Sequence, residues 1–187
     1  QKKIILFPGR LTSWKGHEMF IESLSIFKQK NPDKLFFAII LGSDQGRKIY
    51  KKKIQRLAEQ YRLIQDILFI DNCENMPLAY KISDIVTNCS IEPEAFGRVA
   101  VEAQAMEKVI VASDIGGSKE TIINNKTGFL FKAGDAVALS DKLSHIFELD
   151  ETTLKSMGNE GRKNVIKKFN IEKMCFSTYS EYKKLIN

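Results

Sequence analysis

Leu35-Phe36-Phe37-Ala38-Ile39-Ile40-Leu41 is the longest apolar run in the chain, and its reading decides the fold class. It is far shorter than the roughly 18 residues a membrane-spanning helix needs, and it has the length of a strand. It also lacks the apolar–polar alternation of a strand with one wet face, so both faces of this strand are expected to be covered. The same pattern recurs on either side at Lys3–Phe7, Ile67–Ile70, Ile85–Asn88, Val109–Ala112 and Phe129–Phe131. Between these runs the spacing predicts helices near 16–30, 47–62, 75–82, 97–106, 117–124 and 135–148. Strand–helix repetition of this kind implies α/β architecture: a Rossmann-like, doubly wound parallel sheet of about six strands, with right-handed crossovers and helices on both faces. Two more helices, near 151–168 and 171–185, close the chain. In the first, Leu154, Met157, Gly161, Val165 and Ile166 are expected to share one apolar face. The second follows Asn170, a candidate N-cap, and carries Phe176, Tyr179, Tyr182 and Leu185.

The 187 residues suit a single domain, 1–187, without repeats, linkers or low-complexity stretches. With 43% hydrophobic residues, 4 Pro and 11 Gly, the chain is neither disordered nor fibrous in composition. The net charge of +6 favours anionic partners. Its densest cluster, Arg47, Lys48, Lys51, Lys52 and Lys53, is explained as well by a solvated helix face, and no aromatic–basic interleaving points to nucleic acid. Cys73, Cys89 and Cys175 are odd in number and widely spaced, which suits a reducing cytoplasm rather than a disulfide framework. His17 and His145 stand far apart without partner ligands, so no metal site is expected. No signal peptide is recognisable, and a start at Gln1 rather than Met suggests a piece of a longer polypeptide.

Doubly wound sheets bind ligands at the carboxyl ends of their strands, which directs attention to three loops. After the first strand, Pro8-Gly9-Arg10-Leu11-Thr12-Ser13-Trp14-Lys15-Gly16 combines a Gly turn, two cations five residues apart and a helix start, a means of holding phosphate without a metal. It is neither a P-loop nor a GxGxxG fingerprint, and surface cations alone would also explain it. After the fourth strand, Glu94 precedes a helix that carries Glu102 eight positions later. Carboxylates on the order of 12 Å apart along a helix are too distant for a glycosidase pair, but they suit hydroxyls at two ends of one elongated ligand. Taken singly, Glu102 is also explained by solvent exposure. After the fifth strand, Gly116-Gly117 permits either close backbone approach to a ligand or an ordinary turn.

Together these segments resemble the C-terminal, donor-binding half of group 1 retaining glycosyltransferases of the GT-B fold. The resemblance runs through Pro8-Gly9-Arg10, Lys15-Gly16, Glu94-Ala95-Phe96-Gly97-Arg98-Val99-Ala100-Val101-Glu102-Ala103, Ser113-Asp114-Ile115-Gly116-Gly117, Glu120-Thr121 and Thr127-Gly128-Phe129-Leu130, and Glu94 with Glu102 fits the family's Glu-x7-Glu motif. It implies a nucleotide-diphosphate sugar as substrate, with no cofactor and no metal. Arg10 and Lys15 would bind the diphosphate and stabilise the charge on the leaving group. Glu94 would hold hydroxyls of the transferred sugar with the backbone amides of Phe96 and Gly97, and Glu102 would bind the ribose. Gly9, Gly116 and Gly117 would shape the pocket, and Asp71 and Asn72 would lie near the base. The chain departs from the family pattern at Glu107-Lys108-Val109-Ile110, at Lys119 and at Asp71-Asn72-Cys73.

The resemblance further implies an N-terminal acceptor-binding domain elsewhere in the polypeptide, with the final helix crossing back to it. Little transfer is therefore expected of these residues alone. It also implies a role in bacterial polysaccharide or lipopolysaccharide synthesis in the cytoplasm, peripheral to the inner face of the membrane, with a membrane-bound glycolipid as acceptor. A non-catalytic nucleotide-sugar-binding module and another GT-B enzyme, such as an epimerase, are the alternatives.

Overall fold

The structure, a computed structural model, describes residues 2–186. In chain order it runs β1 (Lys3–Pro8), α1 (His17–Lys30), β2 (Phe36–Leu41), α2 (Lys48–Gln60), β3 (Ile67–Ile70), α3 (Met76–Ile82), β4 (Ile85–Asn88), α4 (Arg98–Ala105), β5 (Val109–Ser113), α5 (Ser118–Thr121), β6 (Phe129–Phe131), α6 (Ala136–Glu148), α7 (Glu151–Lys168) and α8 (Ile171–Ile186). All six strands are parallel, in the order β3-β2-β1-β4-β5-β6.

The missing polar alternation has the expected cause. Ile5 and Phe7 point to one side of the sheet, into a core with Phe20, Leu24 and Phe27 of α1, Ile54 of α2 and Leu139 and Leu143 of α6. Leu6, Ile39, Val86 and Ile110 point to the other side, against Tyr80 of α3 and Ala100 and Ala103 of α4. Each fully buried Ile or Leu side chain contributes about 1.5–3 kcal/mol by leaving water, and both faces gain it. From β1 the chain winds outward through β2 to β3, then crosses back to β4 and winds the other way. The loops leaving β1 and β4 therefore diverge and open a crevice at the carboxyl edge of the sheet.

Several expectations are corrected in detail. The helix expected near 117–124 is a single turn, Ser118–Thr121. Beyond it the backbone is claimed by side chains: Thr127 Oγ1 accepts from Ile123 N at 2.9 Å and Asn124 Oδ1 from Leu130 N at 2.9 Å, which favours a turn over further helix. On α7 the inward face is Met157, Gly161, Asn164 and Val165, while Ile166 is 59% exposed. Asn164 takes the inward place because its Nδ2 donates to Thr121 O at 3.1 Å and to Gln104 Oε1 at 3.3 Å, tying α7 to α4 and α5. Asn170 does cap α8, accepting from Lys173 N at 2.8 Å. No described helix is long and apolar enough to cross a membrane.

Candidate functional site

The loop leaving β1 first follows β2, with Gly9 N donating to Leu41 O at 2.8 Å and Leu11 N to Ser43 O at 3.0 Å. It then makes one tight turn, Ser13–Lys15, ending at Gly16 with φ of +79°. A Cβ at Gly16 would lie 2.0 Å from Cys89 O, so only glycine lets this loop pass the end of β4.

That passage sets Lys15 against the β4 loop. Its Nζ lies 2.7 Å from Glu94 Oε1, and the lysine is only 7% exposed. Ser90 Oγ donates to the same carboxylate oxygen, and the Asn88 side chain also hydrogen-bonds Glu94. Burial by itself would raise the Glu94 carboxyl. Hydrogen bonds from Lys15 and Ser90, the Lys15 charge and the Asn88 bond outweigh it and hold the group below the usual carboxylate range. Glu94 is therefore a fixed anion and acceptor.

Glu102 is fixed differently. Tyr80 of α3 donates its hydroxyl to Oε2 at 2.8 Å, while Arg98 donates Nε and Nη2 to Oε1 at 3.1 and 2.8 Å. Burial first, and the bond to Glu102 second, push the Tyr80 phenol upward, so it remains a donor. Two of these three bonds fall on Oε1, so it is Oε2 that keeps a lone pair for a ligand hydroxyl.

These groups line one cleft of about 440 Å³, a volume in the range of small-molecule sites. Gly9, Arg10, Trp14 and Lys15 form one wall, and Glu94, Ala95, Phe96, Gly97 and Glu102 the other, with Gly42, Met76 and Tyr80 between. Arg10 is exposed at the mouth, and Phe96 meets Phe169 edge-on with ring centroids 5.6 Å apart. Gly116 and Gly117 stand behind the second wall rather than among its lining residues. Gly117 N donates to Glu94 O at 2.8 Å, and a Cβ there would lie 2.3 Å from Phe96 O. The glycine pair thus lets the β5 loop brace the backbone that carries Glu94. Asp71 and Asn72 are exposed and outside the cleft lining. β3 is the outermost strand on its side, and Lys51 of α2 pairs with Asp71.

Tyr80, Asn88 and Ser90 escaped the sequence reading. Tyr80 sits on a short helix where it reads as a core aromatic, and only the packing of α3 beside α4 aims its hydroxyl at Glu102. Ser90 stands four residues before Glu94, a spacing that would have hinted at the contact. Among the described residues, no group of three or more His, Cys, Asp or Glu side chains gathers as metal ligands do.

D-inositol 3-phosphate glycosyltransferase of Corynebacterium glutamicum is 30% identical over 160 residues, 84% of this chain and 38% of that protein. Among solved structures, a glycosyltransferase from Rickettsia africae superposes with a TM-score of 0.92 at 35% identity, covering 100% of this chain and 48% of that one. Anabaena HepE, crystallised with UDP and glucose, shares the fold with a TM-score of 0.87 at 23% identity, covering 97% and 48%. The chain thus spans less than half the length of these relatives, and its sheet is one Rossmann-like half of a GT-B architecture. Residues 1–164 match the family described as Glycosyl transferases group 1, and the chain belongs to that family.

Proposed function

We propose that the chain is the donor-binding half of a retaining glycosyltransferase, moving a sugar from a nucleotide-diphosphate sugar to an acceptor hydroxyl. The observation that carries this reading is the placement of Lys15 with Glu94 at one end of the cleft and Glu102 with Tyr80 at the other. Glu102 accepts the two ribose hydroxyls, one on the free lone pair of Oε2 and one on Oε1 as the exposed Arg98 guanidinium gives way. The diphosphate lies along Gly9, Arg10 and Lys15. The Lys15 ammonium has three donors, of which Glu94 takes one and leaves others for phosphate oxygens. As the glycosidic bond breaks, negative charge grows on the departing diphosphate, and Arg10 and Lys15 stabilise it where a divalent cation serves elsewhere. Glu94, kept ionised, accepts hydroxyls of the transferred sugar beside the amides of Phe96 and Gly97. It positions the donor and is not assigned as a nucleophile. HepE, with the same fold, holds UDP and glucose, which is in keeping with this donor class.

The same reading extends to the rest of the enzyme. An acceptor-binding domain elsewhere in the polypeptide closes the cleft and α8 packs back on it. The acceptor belongs to bacterial polysaccharide or lipopolysaccharide synthesis at the cytoplasmic membrane face.

Calorimetric titration with UDP, GDP and ADP and their sugar conjugates tests the reading. One nucleotide is expected to bind selectively, with affinity lowered about 10-fold or more by Arg10→Ala and by Glu102→Ala, since a hydrogen bond to a charged group contributes about 1.5–3 kcal/mol. Binding of all three nucleotides that neither substitution weakens would overturn it.

A further inference from the structure

Tyr80 lines the cleft from α3, an element that contributes no charged side chain to the lining. The residue is 2% exposed and shares the core on its side of the sheet with Val86, Ala100, Ala103 and Ile110. Its backbone is tied as well. Ser83 N and Ser83 Oγ both donate to Tyr80 O, at 3.1 and 2.8 Å, and Lys108 Nζ donates to the next carbonyl, Lys81 O, at 2.8 Å. The start of α3 is pinned by Asn75, whose Oδ1 accepts from Leu78 N at 3.1 Å. The ring therefore has no room to swing, and the single proton of its hydroxyl is committed to Glu102 Oε2 at 2.8 Å.

The two donors on Glu102 are unequal. Arg98 bonds Oε1 from four residues earlier on the same helix, and its side chain is 84% exposed. An exposed pair of that spacing holds weakly. Tyr80 is the donor to Oε2 among the described residues. Without it, the carboxylate is free to turn both oxygens to the guanidinium, the fork-to-fork geometry such pairs favour, and the lone pair of Oε2 leaves the cleft. An oxygen held in place rewards a ligand that brings a hydroxyl. With a ligand that lacks the hydroxyl, the same oxygen is left desolvated and unpaired.

We propose that Tyr80 is a positioning residue that sets selectivity for ribonucleoside diphosphates over their deoxy counterparts, acting through Glu102. The proposal rests on the donor-binding reading of the cleft and deepens its ribose end. The diphosphate end, with Arg10 and Lys15, is untouched by it.

Calorimetric titration of the chain with UDP, GDP and ADP, each beside its 2′-deoxy and 3′-deoxy form, tests this. For the nucleotide that binds most tightly, removal of either hydroxyl is expected to lower affinity about 10-fold or more. Tyr80→Phe, which keeps the packed ring, should shrink the penalty for at least one hydroxyl to about 3-fold or less, and Glu102→Ala should shrink both. Arg10→Ala should weaken ribo and deoxy forms alike and keep both penalties. Each penalty is a ratio of affinities measured on one protein, so partial unfolding of a variant cancels from it. If Glu102→Ala removes the penalties while Tyr80→Phe weakens all forms alike or none, the proposal fails and the donor-binding reading stands. If the unaltered chain shows no penalty, or Glu102→Ala keeps both, the ribose assignment fails and takes the proposal with it.

Discussion

A lysine ammonium that is 7% exposed cannot persist without a counter-charge, and Glu94 supplies one from a different loop. Just behind this pair, His17 stacks on Phe7 with ring centroids 4.5 Å apart and 7° between planes, its Nδ1 3.3 Å from Thr12 O. Burial, reinforced by the Lys15 charge and opposed by the Thr12 and Gly9 carbonyls, lowers its pKa to about 4. Between pH 6.5 and about 4 the unfolded chain binds a proton at His17 that the folded chain refuses, so stability is present above pH 6.5 and falls as the solution is acidified. The expected loss between pH 7 and pH 5 is about 2 kcal/mol, read by urea unfolding in the two buffers. His17→Gln should flatten that slope, and an unchanged slope in the variant would place the titrating group elsewhere. At this scale the sequence exposed the charged residues of the cleft, because Arg10, Lys15, Glu94 and Glu102 stand in or just beyond loops whose position is set by strand order. It did not expose Tyr80 or Asn88, whose roles exist only once α3 lies beside α4 and β4 beside β1.

Among the elements, legibility follows the strength of local periodicity. β2 was readable because seven consecutive apolar residues have no other home than a strand covered on both faces. α5 was overestimated because Ile122 and Ile123 continue an apolar rhythm, whereas the Thr127 and Asn124 side chains decide the backbone there. α7 was misread at Ile166 because apolar spacing does not reveal that Asn164 is wanted inside by Thr121 and Gln104. The brace between the β5 and β4 loops is the element-level feature most exposed to mutation. Gly117→Ala places a methyl 2.3 Å from Phe96 O, so the segment carrying Glu94 must shift. We expect a loss of about 1–3 kcal/mol in thermal or urea unfolding, accompanied by weakened nucleotide binding. Full affinity in a folded Gly117→Ala protein would show that the brace does not position Glu94.

The whole molecule is asymmetric in how tightly it is built. The sheet, α1, α4 and α6 share two dense cores, while no residue of α8 is buried and Phe176, Tyr179, Tyr182 and Leu185 are 71%, 64%, 64% and 82% exposed. Truncation after Asn170 should therefore leave the urea midpoint of the domain nearly unchanged. It should also reduce concentration-dependent association in sedimentation velocity, because an exposed apolar stripe of this length is an adhesive surface. A large drop in midpoint would mean that α8 contributes to the fold after all. The exposure of these four side chains agrees with the expectation, drawn from the resemblance, that the final helix crosses back to a domain elsewhere in the polypeptide.

Trp14 is the chain's single tryptophan, and the Lys15 ammonium rests 4.6 Å above its ring. The molecule therefore carries one indole emitter, set in the wall of the cleft with the Lys15 ammonium against its face. A ligand that draws Lys15 away from the indole changes the electric field at that emitter. Emission colour and quenching by iodide, followed as ligand is added, therefore report the filling of the cleft without any label being attached.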